Sequence, residues 1–373
     1  MANFIIVVDR NLQRRSHFIQ TIEPLLPPIA GLITQSCASG EFHACWAAHP
    51  SAPISSIASQ EGAAVVWGDA IIPGESTRID AESLRTLWQE SPHQGLPPFD
   101  GFYAAVAYHP HLGLTVAADI LGLFPIYYYT YGDVTLVASS PELLRYHPLF
   151  KAEFNPPGLV GILLTNGLIN GQTLWKNVQR LNAGYTLLWQ PGETTKEVKQ
   201  YEIFDATYQE SLAKQTFSEH LEIVEQLLSQ TLKRHAPTGQ DYSLLLSGGL
   251  DSRMLGGFLH QQGIHPSALT LGKRTDLEME CAVPVARCLG LEHHTADISF
   301  ENYPTYADTL IQWEHLTNGS NCIMDWGIHT HLNRFAPRFV AGYLLDRIIG
   351  GKATYSLSPQ ALSFETFFNQ GVN

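Results

Sequence analysis

No run in this sequence is apolar for the roughly 20 residues that a bilayer span requires. Its start, with Asp9 and Arg10 after a short apolar run, does not read as a secretion signal. Basic clusters are also absent: 22 Lys and Arg stand against 35 Asp and Glu, a formal charge of −13. So acidic a chain has no lysine and arginine footprint for phosphate backbones, which excludes nucleic acid as a partner; the missing span excludes the membrane. Cysteine is scarce. The five residues are odd in number and widely spaced, which excludes a disulfide framework and points to a reducing, cytoplasmic setting. Repeats and low-complexity tracts are missing. Only 15% of residues are charged and 45% are apolar, which excludes disorder and leaves enough material for two cored domains.

What is present concentrates in Ser247-Gly248-Gly249-Leu250-Asp251-Ser252. Tyr242 to Leu246 is an apolar run of strand length, and Arg253 to Leu259 is compatible with a helix that packs on a sheet. Paired glycines between them let the backbone pass close to a bulky anion and adopt torsions closed to other residues, so successive N–H groups converge on oxygen atoms. The following helix points its free N–H groups at the same place. Ser247 and Ser252 add hydroxyls. Asp251 favours phosphate only through an intervening cation, for which magnesium is the natural choice. The lysine of the G-x-x-x-x-G-K-[ST] motif is missing, so the phosphates would be held for different chemistry.

This S-G-G-L-D-S loop resembles the pyrophosphate loop of the asparagine synthetase family, which includes β-lactam synthetase and lasso-peptide cyclases. The resemblance implies an N-terminal Ntn-amidohydrolase-like αββα sandwich and a C-terminal parallel-sheet, adenine-nucleotide α-hydrolase-like PP-loop domain. It implies ATP and Mg2+ as cofactors, activation of a carboxylate as an acyl adenylate, and displacement of AMP by an amine. Leu269-Thr270-Leu271-Gly272 resembles the strand whose backbone recognises adenine, and the helix from Glu278 to Leu289 with Gly290-Leu291-Glu292-His293-His294 resembles the family's "LG-x-x-HH" ending. Adjacent histidines on an extended segment face opposite ways, which argues against a shared metal. Arg338 to Gly351 resembles the second magnesium segment, with Asp346 joining Asp251 as metal ligand and Tyr343 where β-lactam synthetase has a tyrosine that takes part in proton transfer. Arg347 stands where asparagine synthetases commonly carry glutamate, and a guanidinium cannot orient an amine as a carboxylate does.

The first half reads as strands at Phe4 to Val8, Ala63 to Gly68, Phe102 to Tyr108, Leu114 to Ala118, Ile126 to Tyr131 and Val134 to Ala138. Ala117 to Tyr128 and Ala138 to Leu144 resemble the family's amidohydrolase framework, as does Trp175 to Tyr185 with Tyr201. Its chemistry is missing: Ala2 replaces the nucleophilic cysteine, Trp67 replaces the oxyanion asparagine, and Ala118 replaces an arginine. Cys37 and Cys45 read as small buried residues. The polar stretch Asp205 to Thr216 is the expected boundary, giving domains 1–205 and 206–373, and a helix capped at Ser218 is expected over Phe217 to Leu232.

The expected function is an ATP-dependent amide synthetase without its own glutaminase; the alternative is a non-catalytic nucleotide-binding or scaffold protein. Its partners would be small-molecule or peptide carboxylates and amines, and a homo-oligomer is compatible with it. Relatives continue past the closing Gly-Gly through a helical region with a late lysine, whereas this chain stops at Asn373. A second polypeptide supplying that region is therefore one expectation.

Overall fold

A computed structural model describes residues 3–190, 192–193, 195–200, 210–319, 323, 327–328, 331 and 335–342. The strands of the first half are β1 (Asn3–Val8), β2 (Ile33–Ser39), β3 (Phe42–Ala48), β4 (Ile54–Ser59), β5 (Gly62–Ile71), β6 (Asp100–His109), β7 (Gly113–Ala118), β8 (Tyr127–Tyr131), β9 (Val134–Ala138), β10 (Val178–Arg180), β11 (Tyr185–Trp189) and β12 (Lys196–Lys199). They form two antiparallel six-stranded sheets, in the orders β10-β8-β9-β1-β3-β2 and β12-β11-β7-β6-β5-β4. Alternation along β1 shows why they stack. Phe4, Ile6 and Val8 join Trp46, Val65, Trp67 and Val106 between the sheets, while Ile5 and Val7 face the other way against Phe18, Ile19 and Ile22.

The helices are α1 (Leu12–Ile22), α2 (Ala81–Glu90), α3 (Pro141–Leu144), α4 (Pro156–Thr165), α5 (Glu210–Ala213), α6 (Phe217–His235), α7 (Leu250–Gln261), α8 (Leu277–Cys288) and α9 (Tyr303–Glu314). α1 supplies the outer layer on the first sheet. α2 does the same on the second through Leu84 and Trp88, whose Nε1–H donates to Thr115 Oγ1 at 2.9 Å. The order helix, sheet, sheet, helix is the expected sandwich.

Two compact units result. One comprises Met1–Asp241 with Ala296–Arg338, and the other comprises Tyr242–Thr295 with, among the described residues, 339–342. Within the first unit the turn after α9 is fastened to the sandwich. Tyr127 Oη lies 2.5 Å from Thr317 Oγ1, Arg180 donates to Asn318 Oδ1 at 2.6 Å, and Ser140 Oγ donates to the Trp313 carbonyl. Residues 201–209, where the expected boundary begins and Tyr201 lies, fall outside the described residues. α6 starts from Thr216 rather than Ser218, because Thr216 and Glu219 form a reciprocal capping box. Only Leu232 of its apolar residues is buried.

The third sheet, in the second unit except for Ala296 and Arg338, holds β13 (Tyr242–Leu245), β14 (Ser267–Leu271), β15 (His293–Ala296) and β16 (Arg338–Val340), in the order β15-β14-β13-β16. β13 and β14 run parallel, with Leu244 opposite Ala268 and Leu245 opposite Leu269. α7 crosses between them, and Gly256 leaves room for Leu244 and Leu289 where an added Cβ would stand 3.2 and 3.1 Å away. Among the described residues no helix is long and apolar enough to cross a membrane.

Candidate functional site

β13 ends at Leu245, and the next residues bend into α7, so Ser247 to Gly249 lie off the carboxyl end of a buried parallel strand. This is where open α/β sheets place ligands. Leu246 extends the pairing through its N–H on the Leu269 carbonyl, at 2.9 Å. Thr270 Oγ1 donates to the Leu246 carbonyl at 2.7 Å, and with that proton committed it accepts from His293 Nε2–H, also at 2.7 Å. Three strand ends are thereby tied together beneath the loop. Burial, with the neighbouring His294 adding to it, holds the His293 imidazole below its ordinary pKa. His294 turns to Glu292 Oε1 at 3.1 Å, so the two histidines serve different partners.

The loop is internally ordered. Ser252 Oγ accepts from the Ser247 N–H at 3.0 Å and lies 2.9 Å from Ser247 Oγ, and Ser247 Oγ accepts from the Gly249 N–H at 3.1 Å. Ser252 is buried, whereas Leu250 is 76% exposed at the first position of α7. Neither glycine adopts the left-handed torsions expected from sequence; Gly249 has φ −71° and ψ 157°. Crowding is the operative reason for glycine instead: a Cβ on Gly248 would stand 3.2 Å from both Cys281 Cβ and Glu278 Cα. The Gly248 N–H donates to the Glu278 carboxylate, so an anionic oxygen already sits where a phosphate oxygen is expected.

Asp251 lies in the first turn of α7, half-buried. Gly342, just after β16, lies against it; a Cβ there would come within 2.8 Å of Asp251 Cβ and 3.2 Å of the Ser252 nitrogen. The carboxylate oxygens of Asp251 are donors of the hard kind that magnesium takes. The second expected ligand, Asp346, and the expected Tyr343 lie outside the described residues. Among the described residues no cluster of three or more His, Cys, Asp or Glu side chains is arranged to hold a metal. Of the strand expected at adenine, Leu269 and Thr270 have buried side chains, while Gly272 turns away at φ +122° with Asp276 Oδ2 against it.

In the first unit, Ala2 lies outside the described residues. Beyond it, Phe4 stacks on Trp67 with ring centroids 4.3 Å apart, and Trp46 meets Trp67 edge-on at 5.8 Å. Trp67 is thus packed among aromatic rings between the two sheets. Asp69, two residues on, is clasped by Arg78 at 2.9 Å and by Arg338 at 2.7 and 3.0 Å. Burial raises its carboxyl, but the two guanidinium groups outweigh this and hold it below the ordinary value. Burial pushes the Cys37 thiol up to about 11 and the Cys45 thiol to about 12, so both stay protonated and inert. Sequence reasoning missed the Arg clasp, since Arg338 is 269 residues from Asp69. It also missed the Glu278 contact, for which a glutamate in the first turn of the helix after β14 was the available signal.

The family model for the glutamine amidotransferase domain matches residues 74–202, and that for asparagine synthase matches residues 223–361. Over 58 residues the chain is 43% identical to 7-cyano-7-deazaguanine synthase of Rhizorhabdus wittichii, covering 15% of this chain and 25% of that one. The chain thus spans a quarter of the length of that curated relative. Glutamine phosphoribosylpyrophosphate amidotransferase from B. subtilis is similar at 11% identity over 79% of this chain and 65% of that one, with a TM-score of 0.34. The structure of an allosteric regulatory enzyme of purine biosynthesis is similar at 12% identity over 96% and 93%, also with a TM-score of 0.34.

The fold is therefore an Ntn-amidotransferase-like antiparallel sandwich joined in one chain to a parallel-sheet adenine nucleotide hydrolase-like domain. The chain therefore carries the glutamine amidotransferase and asparagine synthase domains that are paired in the asparagine synthetase family.

Proposed function

We infer that this protein is an ATP-dependent, AMP-forming amide synthetase without its own glutaminase. The observation that carries this reading is the Ser247 to Ser252 turn, with an anionic oxygen held on the Gly248 N–H at the end of a parallel strand. ATP supplies an activated phosphoryl centre on which a carboxylate becomes a good acyl donor. The chain's own residues bind and orient: Ser247, Gly248, Gly249, Leu250 and Ser252 receive the β- and γ-phosphates, the backbone of Leu269 to Gly272 faces the adenine, and Asp251 with Asp346 holds magnesium. Tyr343 is assigned a proton-transfer role. The amine is free ammonia from solution, a second molecule, or a group within the same substrate.

The packing of Trp67 against Phe4, with Ala2 where the family's nucleophilic cysteine is expected, supports an amidotransferase-like unit that does not hydrolyse glutamine. Without a cation to mediate, Asp251 repels the phosphates it is meant to position, so its charge is the direct handle. Asp251→Asn is expected to lower carboxylate-dependent exchange of labelled pyrophosphate into ATP by two orders of magnitude or more, since a well-aimed electrostatic contact is worth about 3 kcal/mol. An unchanged exchange rate would overturn the metal assignment.

A further inference from the structure

The loop that is assigned to phosphate is not bare. Its central N–H, on Gly248, donates to a carboxylate oxygen of Glu278, a residue of the first turn of α8. The fit is close: a Cβ on Gly248 would meet Glu278 Oε2 at 3.3 Å and Glu278 Cα at 3.2 Å. The Glu278 side chain is nevertheless exposed, so it can swing into solvent with its charge fully hydrated. A phosphate oxygen and this carboxylate oxygen seek one donor, and both are anionic. Occupancy by either excludes the other, and after exchange the displaced carboxylate still faces the incoming charge.

We propose that Glu278 is a built-in competitor of the pyrophosphate loop, occupying the Gly248 N–H until a diphosphate displaces it and so making binding depend on the cation that accompanies the phosphates. The proposal rests on the assignment of the loop to the diphosphate. It explains an otherwise costly arrangement, a carboxylate beside a loop built for anions. A free anion meets the carboxylate's repulsion unrelieved. An anion carrying magnesium brings a positive charge that offsets the same carboxylate.

The test is calorimetric titration of the full chain with inorganic pyrophosphate, in chelator and then in saturating magnesium, for the wild type, Glu278→Gln and Glu278→Ala. In chelator both variants are expected to bind about tenfold more tightly than the wild type, the scale of one charge-assisted hydrogen bond. Alanine is expected to gain more than glutamine, which keeps an acceptor oxygen. Magnesium is expected to narrow the gap. Equal or weaker binding by both variants in chelator would overturn the proposal and leave Glu278 a strut between α8 and the loop. A wild type that binds no pyrophosphate even with magnesium would instead remove the loop assignment itself, and this proposal with it.

Discussion

Gly342 and Thr270 show how single residues shape the candidate site without touching a substrate. Any side chain on Gly342 must displace the first turn of α7, because a Cβ would lie 2.8 Å from Asp251 Cβ and 3.1 Å from the Asp251 carbonyl carbon. Gly342→Ala is therefore expected to destabilise by about 1–3 kcal/mol, the cost of overpacking, and to weaken nucleotide binding measurably. Chemical denaturation and ATP titration check the two effects together. Thr270→Val removes the hydroxyl that links the Leu246 carbonyl to His293 Nε2 and leaves a buried carbonyl lone pair and an imidazole N–H short of a partner. A loss of about 1–3 kcal/mol is expected. A variant as stable as the wild type would show that the relay carries no load. At this scale the sequence exposes Ser247 to Ser252 plainly, because glycine and serine at a strand-to-helix bend have few other uses. It hides Glu278, since an acidic residue in the first turn of a helix is ordinary by itself.

Among the elements, those whose two faces differ are the ones that pattern alone discloses. β1, β5, β6, β7, β8 and β9 emerge within a few residues of their expected ends, because alternation and hairpin turns such as Gly132-Asp133 fix strand and register together. β2 and β4 carry no such mark. Their sequences, ITQSCAS and ISSIAS, are mostly small and polar, and each lies at the edge of its sheet with one neighbour. α6 shows the opposite case: its apolar spacing announces a helix, yet Phe217 is 82% and Leu221 57% exposed, so periodicity establishes the element and not what covers it. What fixes its start is the pair Thr216 and Glu219, with the Glu219 carboxylate accepting from the Thr216 N–H at 2.6 Å. Thr216→Ala is expected to cost about 1 kcal/mol. The early loss of protection of α6 amides in hydrogen exchange, relative to wild type, is the measurement.

For the whole molecule, buried titrating groups tie stability to pH. Asp9 is completely buried and held by Arg14 at 2.6 Å; burial raises its carboxyl, but Arg14 and the Asn11 N–H outweigh this and lower it. Its contribution is present above the unfolded carboxyl value and is lost as pH falls through the folded one. His147, whose Nε2 lies 3.5 Å from Asp9 Oδ2, is kept neutral by burial, which outweighs the nearby carboxylate. The unfolded chain protonates this imidazole first. Stability is therefore expected to decline as pH falls below about 6.5, the unfolded histidine value, with a second decline below about 4 from Asp9. Thermal unfolding followed from pH 8 to pH 3 checks this, and a melting temperature unchanged between pH 7 and pH 5 would contradict the first step.

The account as a whole turns on where ATP puts its phosphates. A crystal structure of the chain with magnesium and ATP settles that directly: the account predicts the β- and γ-phosphates against Ser247 to Ser252, with the Gly248 N–H released from Glu278. A triphosphate bound anywhere else, with that hydrogen bond intact, would contradict it.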